Sequence, residues 1–253
     1  MTDVVLPAPS LGGELRAAVV LPPDYATSGK RYPVIYFLHG LPATPFSYRG
    51  VGFLQRALGQ LPAEAILVAP QGARDGDGDD EYLDLGPGRN WETAVARDLP
   101  RYVDTHYRTI ADRSGRALVG LSAGGYGAML VALHHLPDYG AVESWSGYFH
   151  PTDPSGTHSL DLGSTSANAL ASAHALVARL KADTQRRPTF LAFYVGSDDA
   201  RFRSENERFD AELRAARIPH VFRIYPGGHA SAVWSAHAGQ WLGLALDHLQ
   251  PAS

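Results

Sequence analysis

A series of apolar runs, separated by helical patterns, constrains this chain more than any other feature of its sequence. Pro33–Leu38 reads Pro-Val-Ile-Tyr-Phe-Leu without a polar break; Ala65–Ala69, Ala117–Leu121 and Thr189–Val195 are similar, as is Ala141–Trp145 apart from Glu143 and Ser144. A strand with one face in water alternates apolar and polar residues, whereas a strand covered on both faces has no need to. Glu14–Leu21, ended by Pro22-Pro23, and Val221–Tyr225 complete the set. Helical periodicity falls between these runs, at Trp91–Val103 (with a bend expected at Pro100), Gly124–Leu136, Ala167–Arg186, Arg201–Arg217 and Ser231–Leu249. Alternation of this kind predicts an α/β fold with a mostly parallel central sheet and helices on both faces.

At 253 residues and 45% hydrophobic content the chain can bury one large core, so we expect a single domain over 1–253. Loop insertions are expected at about 71–90 and 150–165, where the periodicity breaks. A net charge of -4 leaves no basic footprint, so no nucleic-acid partner is expected. Cysteine is absent, which excludes disulfides, thiolate zinc sites and a Cys nucleophile. No apolar run approaches the roughly 18 residues of a membrane span. The N-terminus has no basic stretch followed by an apolar run, so no signal peptide is visible and a cytoplasmic location is expected.

The chemistry starts at Gly120-Leu-Ser-Ala-Gly124, the one G-x-S-x-G in the chain. It follows an apolar strand and opens a helix, the context in which such a serine stands exposed on a tight, strained turn. Glycines at 120 and 124 remove side chains that would collide with the neighbouring strand and helix. Ser122 is therefore the candidate nucleophile, and it needs a base and a group to orient that base. Of the 11 histidines, His229 stands out because Tyr225-Pro-Gly-Gly-His places it on a glycine-rich turn after a strand. His134, His135, His237 and His248 fall inside helical patterns and read as packing or surface residues. His39, closing a buried strand, reads as structural support. For the acid, Asp198 and Asp199 both follow the strand that ends at Val195-Gly196. An acyl-transfer site also needs two donors for the oxyanion. The backbone N–H of Ala123 supplies one, and the sharp turn His39-Gly40-Leu41 supplies the other through the N–H of Leu41.

These residues, together with Leu21-Pro-Pro-Asp-Tyr25, Tyr32–Leu41, Asp98–Val103, Gly120–Ala128, Gly196-Ser-Asp-Asp199 and Pro226-Gly-Gly-His229, resemble the esterase D family of α/β-hydrolases. That family includes S-formylglutathione hydrolases, feruloyl and enterochelin esterases and mycolyltransferases, and the resemblance runs from about Glu14 to Leu249. It implies the α/β-hydrolase fold and carries the acid role onto Asp199, three residues after Gly196, leaving Asp198 to cap the following helix. It also places the histidine role on His229 and the first oxyanion donor on Leu41. Ser231 departs from the aromatic that many relatives carry two residues after the histidine, whereas Trp234 matches. The elbow has Ala123 where relatives often have Met.

The resemblance implies a serine carboxylic-ester hydrolase acting on a small-molecule ester, with no cofactor and no metal. An acyltransferase using the same triad and a silent binding module are the competing expectations. A substrate pocket is expected from Phe46, Tyr48, Trp91, Trp145, Tyr148 and Phe149. The acidic stretch Asp75–Asp84 fails as a calcium loop. Counted from Asp75, the sixth position is Asp80 where glycine is needed, and the twelfth is Gly86 where glutamate is needed. A solvated loop near the pocket mouth is the expectation for it.

Overall fold

Successive side chains of a strand point to opposite faces, so an unbroken apolar run has to be covered twice. In β3 (Val34–Leu38), Val34, Tyr36 and Leu38 enter one core while Ile35 and Phe37 enter the other. In β4 (Ile66–Pro70), Ile66 and Val68 join the first core and Leu67 and Ala69 the second. The computed structural model describes residues 1–74, 76–77, 80–153 and 158–253. Among these, eight strands form one sheet in the order β1-β2-β4-β3-β5-β6-β7-β8. The others are β1 (Thr2–Ala8), β2 (Gly13–Val20), β5 (Arg116–Leu121), β6 (Ala141–Trp145), β7 (Phe190–Gly196) and β8 (Val221–Tyr225). The β1–β2 and β2–β4 pairings are antiparallel, and every other pairing is parallel.

The first core lies under the helices Ala123–His134, Ala173–Arg186 and Arg203–Ala216; the second lies under Gly52–Leu58 and Ser231–Leu246. Ala123–His134 is buried from Ala123 through Leu133 and carries no polar stripe, as befits a helix enclosed on all sides. Register aligns the strand ends: Leu38 lies opposite Gly120, Leu121 opposite Trp145, and Gly196 opposite Tyr225. The turns after β3, β5, β7 and β8 therefore emerge along one edge of the sheet, the carboxyl edge where open α/β sheets place their ligands.

Several expectations need correction. β1 carries no apolar run; it is an edge strand, half solvated and containing Pro7, held by its antiparallel register with β2. The segment Ala167–Arg186 is two helices, Thr165–Leu170 and Ala173–Arg186, and the break at Ala171 is fixed by Tyr126, whose hydroxyl donates to the Ala171 carbonyl at 2.7 Å. The deviation in the helical segment that begins at Trp91 precedes Pro100: Ala94–Asp98 forms a π-helical turn, and Pro100 sits in the opening turn of Leu99–His106. The acidic stretch is not simply solvated. Asp75 and Asp79 lie outside the described residues, but Asp80 and Glu81 are 1% and 2% exposed. Asp80 is held by Arg89, and Glu81 accepts from the Tyr148 hydroxyl and from the Thr152 N–H. No helix among the described residues is long and apolar enough to cross a membrane.

Candidate active site

The strand β5 runs into Ser122 with φ 56 and ψ -120, a conformation that a residue with a Cβ adopts only when its surroundings enforce it. Those surroundings are backbone. A Cβ on Gly120 would lie 1.9 Å from the Gly124 carbonyl oxygen, and one on Gly124 would lie 2.0 Å from the Leu38 carbonyl oxygen. The Ser122 N–H donates to the Trp145 carbonyl at 2.8 Å, continuing the β5–β6 ladder up to the turn. The side chain is thereby lifted off the end of the sheet.

Two other strand ends bring partners to it. Beyond β8, the turn Pro226–His229 is tied to the end of β7, where the Asp198 N–H donates to the Gly227 carbonyl at 2.8 Å and the Ser197 N–H to the Tyr225 carbonyl at 2.7 Å. This sets His229 between serine and carboxylate: its Nε2 is 2.9 Å from Ser122 Oγ and its Nδ1 is 2.8 Å from Asp199 Oδ2. Asp199 is 1% exposed, and its second oxygen, Oδ1, accepts from the N–H groups of Arg201 and Phe202 at 3.2 and 3.3 Å. Of the two candidate carboxylates, the structure brings Asp199 to the histidine. It also overturns the capping role expected of Asp198. That residue is exposed and, among the described residues, its carboxylate meets only Ser197 Oγ, at 3.1 Å, while Asp199 itself serves the turn that leads into Arg203–Ala216.

The turn after β3 packs against the serine so closely that a Cβ on Gly40 would lie 2.9 Å from Ser122 Cβ. His39 holds this turn. Its Nδ1 bonds the Gly40 carbonyl at 2.9 Å, its Nε2 accepts from the Gly72 N–H at 3.0 Å, and its own carbonyl accepts from the Tyr82 hydroxyl at 2.9 Å. With Nε2 accepting, Nδ1 carries the proton, and burial pushes the imidazole pKa below its ordinary value, keeping it neutral. The Gly40 carbonyl and the Leu41 N–H share one planar peptide unit and point oppositely. Fixing the carbonyl on His39 therefore fixes the direction of the Leu41 N–H, which has no backbone partner among the described residues. Ala123, first residue of its helix, has an N–H with no intrahelical acceptor.

The cleft around Ser122 encloses about 300 Å³, with Leu41, Tyr148, Phe202, Trp234 and His229 in its wall. Of the six aromatics expected there, only Tyr148 lines it. Tyr48, Trp91, Trp145 and Phe149 are core residues at 0–1% exposure, and Phe46 is 53% exposed and does not line the cleft. Phe202 and Trp234 stand in their place, each ring meeting the His229 imidazole edge-on with centroids 5.2 and 5.0 Å away. The Trp234 indole N–H donates to Ser146 Oγ at 2.9 Å, which fixes its plane. In the sequence Phe202 is one apolar position of the Arg201–Arg217 helical pattern, and nothing in its spacing tells a core aromatic from one against the site. A larger cavity, about 680 Å³ between Leu83–Leu85 and Thr165–Leu170, is lined by none of Ser122, Asp199 and His229.

As for metal, the one group of donors among the described residues is His150, His174 and Glu205, whose ligand atoms lie within 4.8 Å of one another. The contacts are direct hydrogen bonds, His150 Nδ1 to Glu205 Oε1 at 2.6 Å and His174 Nε2 to the same oxygen at 3.3 Å. The first leaves no room for an ion between its atoms. The two imidazoles and the Phe149 N–H hold the Glu205 carboxyl down to about 2 against the opposing effect of burial.

The family model described as "Putative esterase" matches residues 8–239, and the chain belongs to this family of esterases. An esterase of Mycobacterium tuberculosis is 32% identical over 239 residues, covering 83% of this chain and 51% of the relative. This chain thus spans about half the length of the curated relatives it matches. Among solved structures, a ferulic acid esterase superposes with a TM-score of 0.79 at 27% identity, covering 98% of each chain. An S-formylglutathione hydrolase of Agrobacterium tumefaciens superposes with a TM-score of 0.79 at 20% identity, covering 98% of this chain and 95% of that one. The fold is the α/β-hydrolase fold, as the sheet order and elbow already indicated.

Proposed function

We propose that this chain is a serine carboxylic-ester hydrolase working through an acyl-enzyme on Ser122. The single observation that carries the reading is the unbroken run of hydrogen bonds from buried Asp199 through His229 to Ser122, ending on a serine held at positive φ. His229 Nε2 takes the Ser122 proton as Oγ attacks the ester carbonyl, and returns it to the departing alcohol. Water then enters by the same route in reverse and releases the acid. Asp199 keeps the second imidazole proton on Nδ1 and stabilises the imidazolium that forms in each step. The N–H groups of Ala123 and Leu41 receive the charge that develops on the carbonyl oxygen. Each such donor contributes on the order of 3 kcal/mol to the transition state.

A cleft of about 300 Å³ stands at the small end of ligand sites and favours short acyl or single-ring esters. The similarity over 98% of both chains to a ferulic acid esterase agrees with an aryl ester. The test is a panel of 4-nitrophenyl acetate, butyrate and decanoate with methyl ferulate, for the wild type and Ser122→Ala. Turnover of the short and aryl esters above the decanoate, abolished in Ser122→Ala with the circular dichroism spectrum unchanged, is the expected result. Equal turnover by Ser122→Ala would refute the reading.

A further inference from the structure

Two polar groups at one side of the cleft stand outside the network of the triad. Arg201 lines the cleft that holds Ser122 and His229 and forms no ion pair among the described residues, whereas nearby Arg203 and Arg208 are paired with Glu207 and Glu212. Its guanidinium lies 5.1 Å from the centre of the Phe202 ring, which also meets the His229 imidazole and the Tyr148 ring. Thr152 lines the same cleft, is 3% exposed, and has an Oγ1 with no hydrogen-bond partner among the described residues. A buried hydroxyl left unpaired is destabilising, and a ligand acceptor in the cleft would relieve it. Thr152 and Arg201 also line an adjoining polar cavity of about 400 Å³, so the two spaces meet at these residues.

The carboxylates nearby are engaged elsewhere. Glu205 accepts from His150, His174 and the Phe149 N–H, and Asp153 holds His158 at 3.0 Å; neither pairs with Arg201. What this junction lacks is an anion with several acceptor lone pairs. A carboxylate fits: it can take two N–H bonds from the planar guanidinium fork, and a third from the threonine hydroxyl once rotation about χ1 turns the buried Oγ1 toward the cleft. We propose that Arg201 and Thr152 form a carboxylate-binding subsite, and that the preferred substrates are esters carrying a free carboxylate besides the scissile bond. This inference rests on the esterase reading above and names its substrate class.

Two matched ester pairs test it: 3-carboxyphenyl acetate against phenyl acetate for a carboxylate on the alcohol side, and phenyl hydrogen glutarate against phenyl valerate for one on the acyl side. At low ionic strength the charged member of one pair is favoured by about tenfold or more in kcat/KM, and 0.5 M salt narrows the margin. Arg201→Gln removes the preference, Arg201→Lys keeps part of it, and Thr152→Val reduces it several-fold. No preference in either pair, or a preference that survives Arg201→Gln, overturns the subsite. Calorimetry of 3-carboxyphenyl acetate and phenyl hydrogen glutarate on Ser122→Ala reads the subsite without turnover; at least one ligand should bind, and adding Arg201→Gln should weaken it about tenfold. Binding of neither ligand, or an affinity unaffected by Arg201→Gln, also overturns it. Failure of the esterase reading looks different, since Ser122→Ala would then hydrolyse both pairs as fast as the wild type.

Discussion

Replacing Asp199 by Asn changes one atom, and the structure dictates where that atom goes. Oδ1 accepts from two backbone N–H groups, those of Arg201 and Phe202, so an amide nitrogen in that position would face two donors. The amide oxygen must stay there, and the NH₂ group takes the place of Oδ2, 2.8 Å from His229 Nδ1. A donor at that point turns Nδ1 into an acceptor and moves the ring proton to Nε2, which then donates to Ser122 and can no longer receive its proton. The geometry survives while the base is lost. In trypsin-type triads this change lowers kcat by about 10⁴, equivalent to roughly 5 kcal/mol of transition-state stabilisation. We expect a loss of at least about 10² in kcat for Asp199→Asn, approaching that figure, with a stability loss on the order of 1 kcal/mol from removing the charge at the helix entry. Asp198→Asn, at an exposed side chain bonded only to Ser197, should leave both kcat and melting temperature near wild type. The assay is kcat on 4-nitrophenyl acetate with thermal unfolding for both variants. An Asp199→Asn enzyme within tenfold of wild type, or an inactive Asp198→Asn, would refute the assignment of the acid.

Three further outcomes follow from the same geometry. His39→Gln removes the donor to the Gly40 carbonyl and should lower kcat by about 10–100-fold with little change in KM, part of the cost of an oxyanion donor; His39→Asn, whose amide can replace Nδ1, should lose less, as steady-state kinetics would show. Gly120→Ala drives a Cβ to 1.9 Å from backbone and should cost at least the ~1–3 kcal/mol of ordinary overpacking, read as a lower urea midpoint or as insoluble protein. Glu143, fully buried between the Trp145 indole N–H and the Tyr194 hydroxyl, has its pKa pushed up to about 8 by burial. A raised carboxyl pKa makes the folded state hold a proton that the unfolded chain releases, so stability falls as pH rises from about 4.5 to about 8, by on the order of 4 kcal/mol. Urea midpoints at pH 5 and pH 8.5 should show that fall in the wild type and much less of it in Glu143→Gln.

What was legible in the sequence is what short-range chemistry dictates. Val34–Leu38 reads as a doubly covered strand because no polar residue interrupts the run, whereas Ala141–Trp145 carries Glu143 and Ser144, whose burial only the structure reveals. Ser122 was legible because the two flanking glycines are required by backbone contacts within a few residues of it and by one neighbouring strand. What was not legible depends on partners far along the chain. Asp80 and Glu81 look like members of a solvated acidic run, yet Arg89, Tyr148 and Thr152 make their burial tolerable. The choice of Asp199 over Asp198 comes from the family resemblance; its physical basis, the contact of the Pro226–His229 turn with the end of β7, is not written in the residues themselves. The aromatics failed for the same reason. Trp145 packs on Trp241 and Phe149 on Phe209, pairings set by helix placement, while Phe202 and Trp234 reach the site from helix-entry segments.

The central claim is that Ser122 is the activated nucleophile, and a fluorophosphonate tests it most directly because it reacts only with a serine whose base and oxyanion donors are in place. Mass spectrometry of the digested adduct should find one modification, on the peptide holding Ser122, and none in Ser122→Ala. Ser144 and Ser146 should stay unmodified, since both are buried and Ser146 is already engaged by Trp234. Modification of Ser144 or Ser146, or an unlabelled wild type that nonetheless hydrolyses esters, would contradict the account.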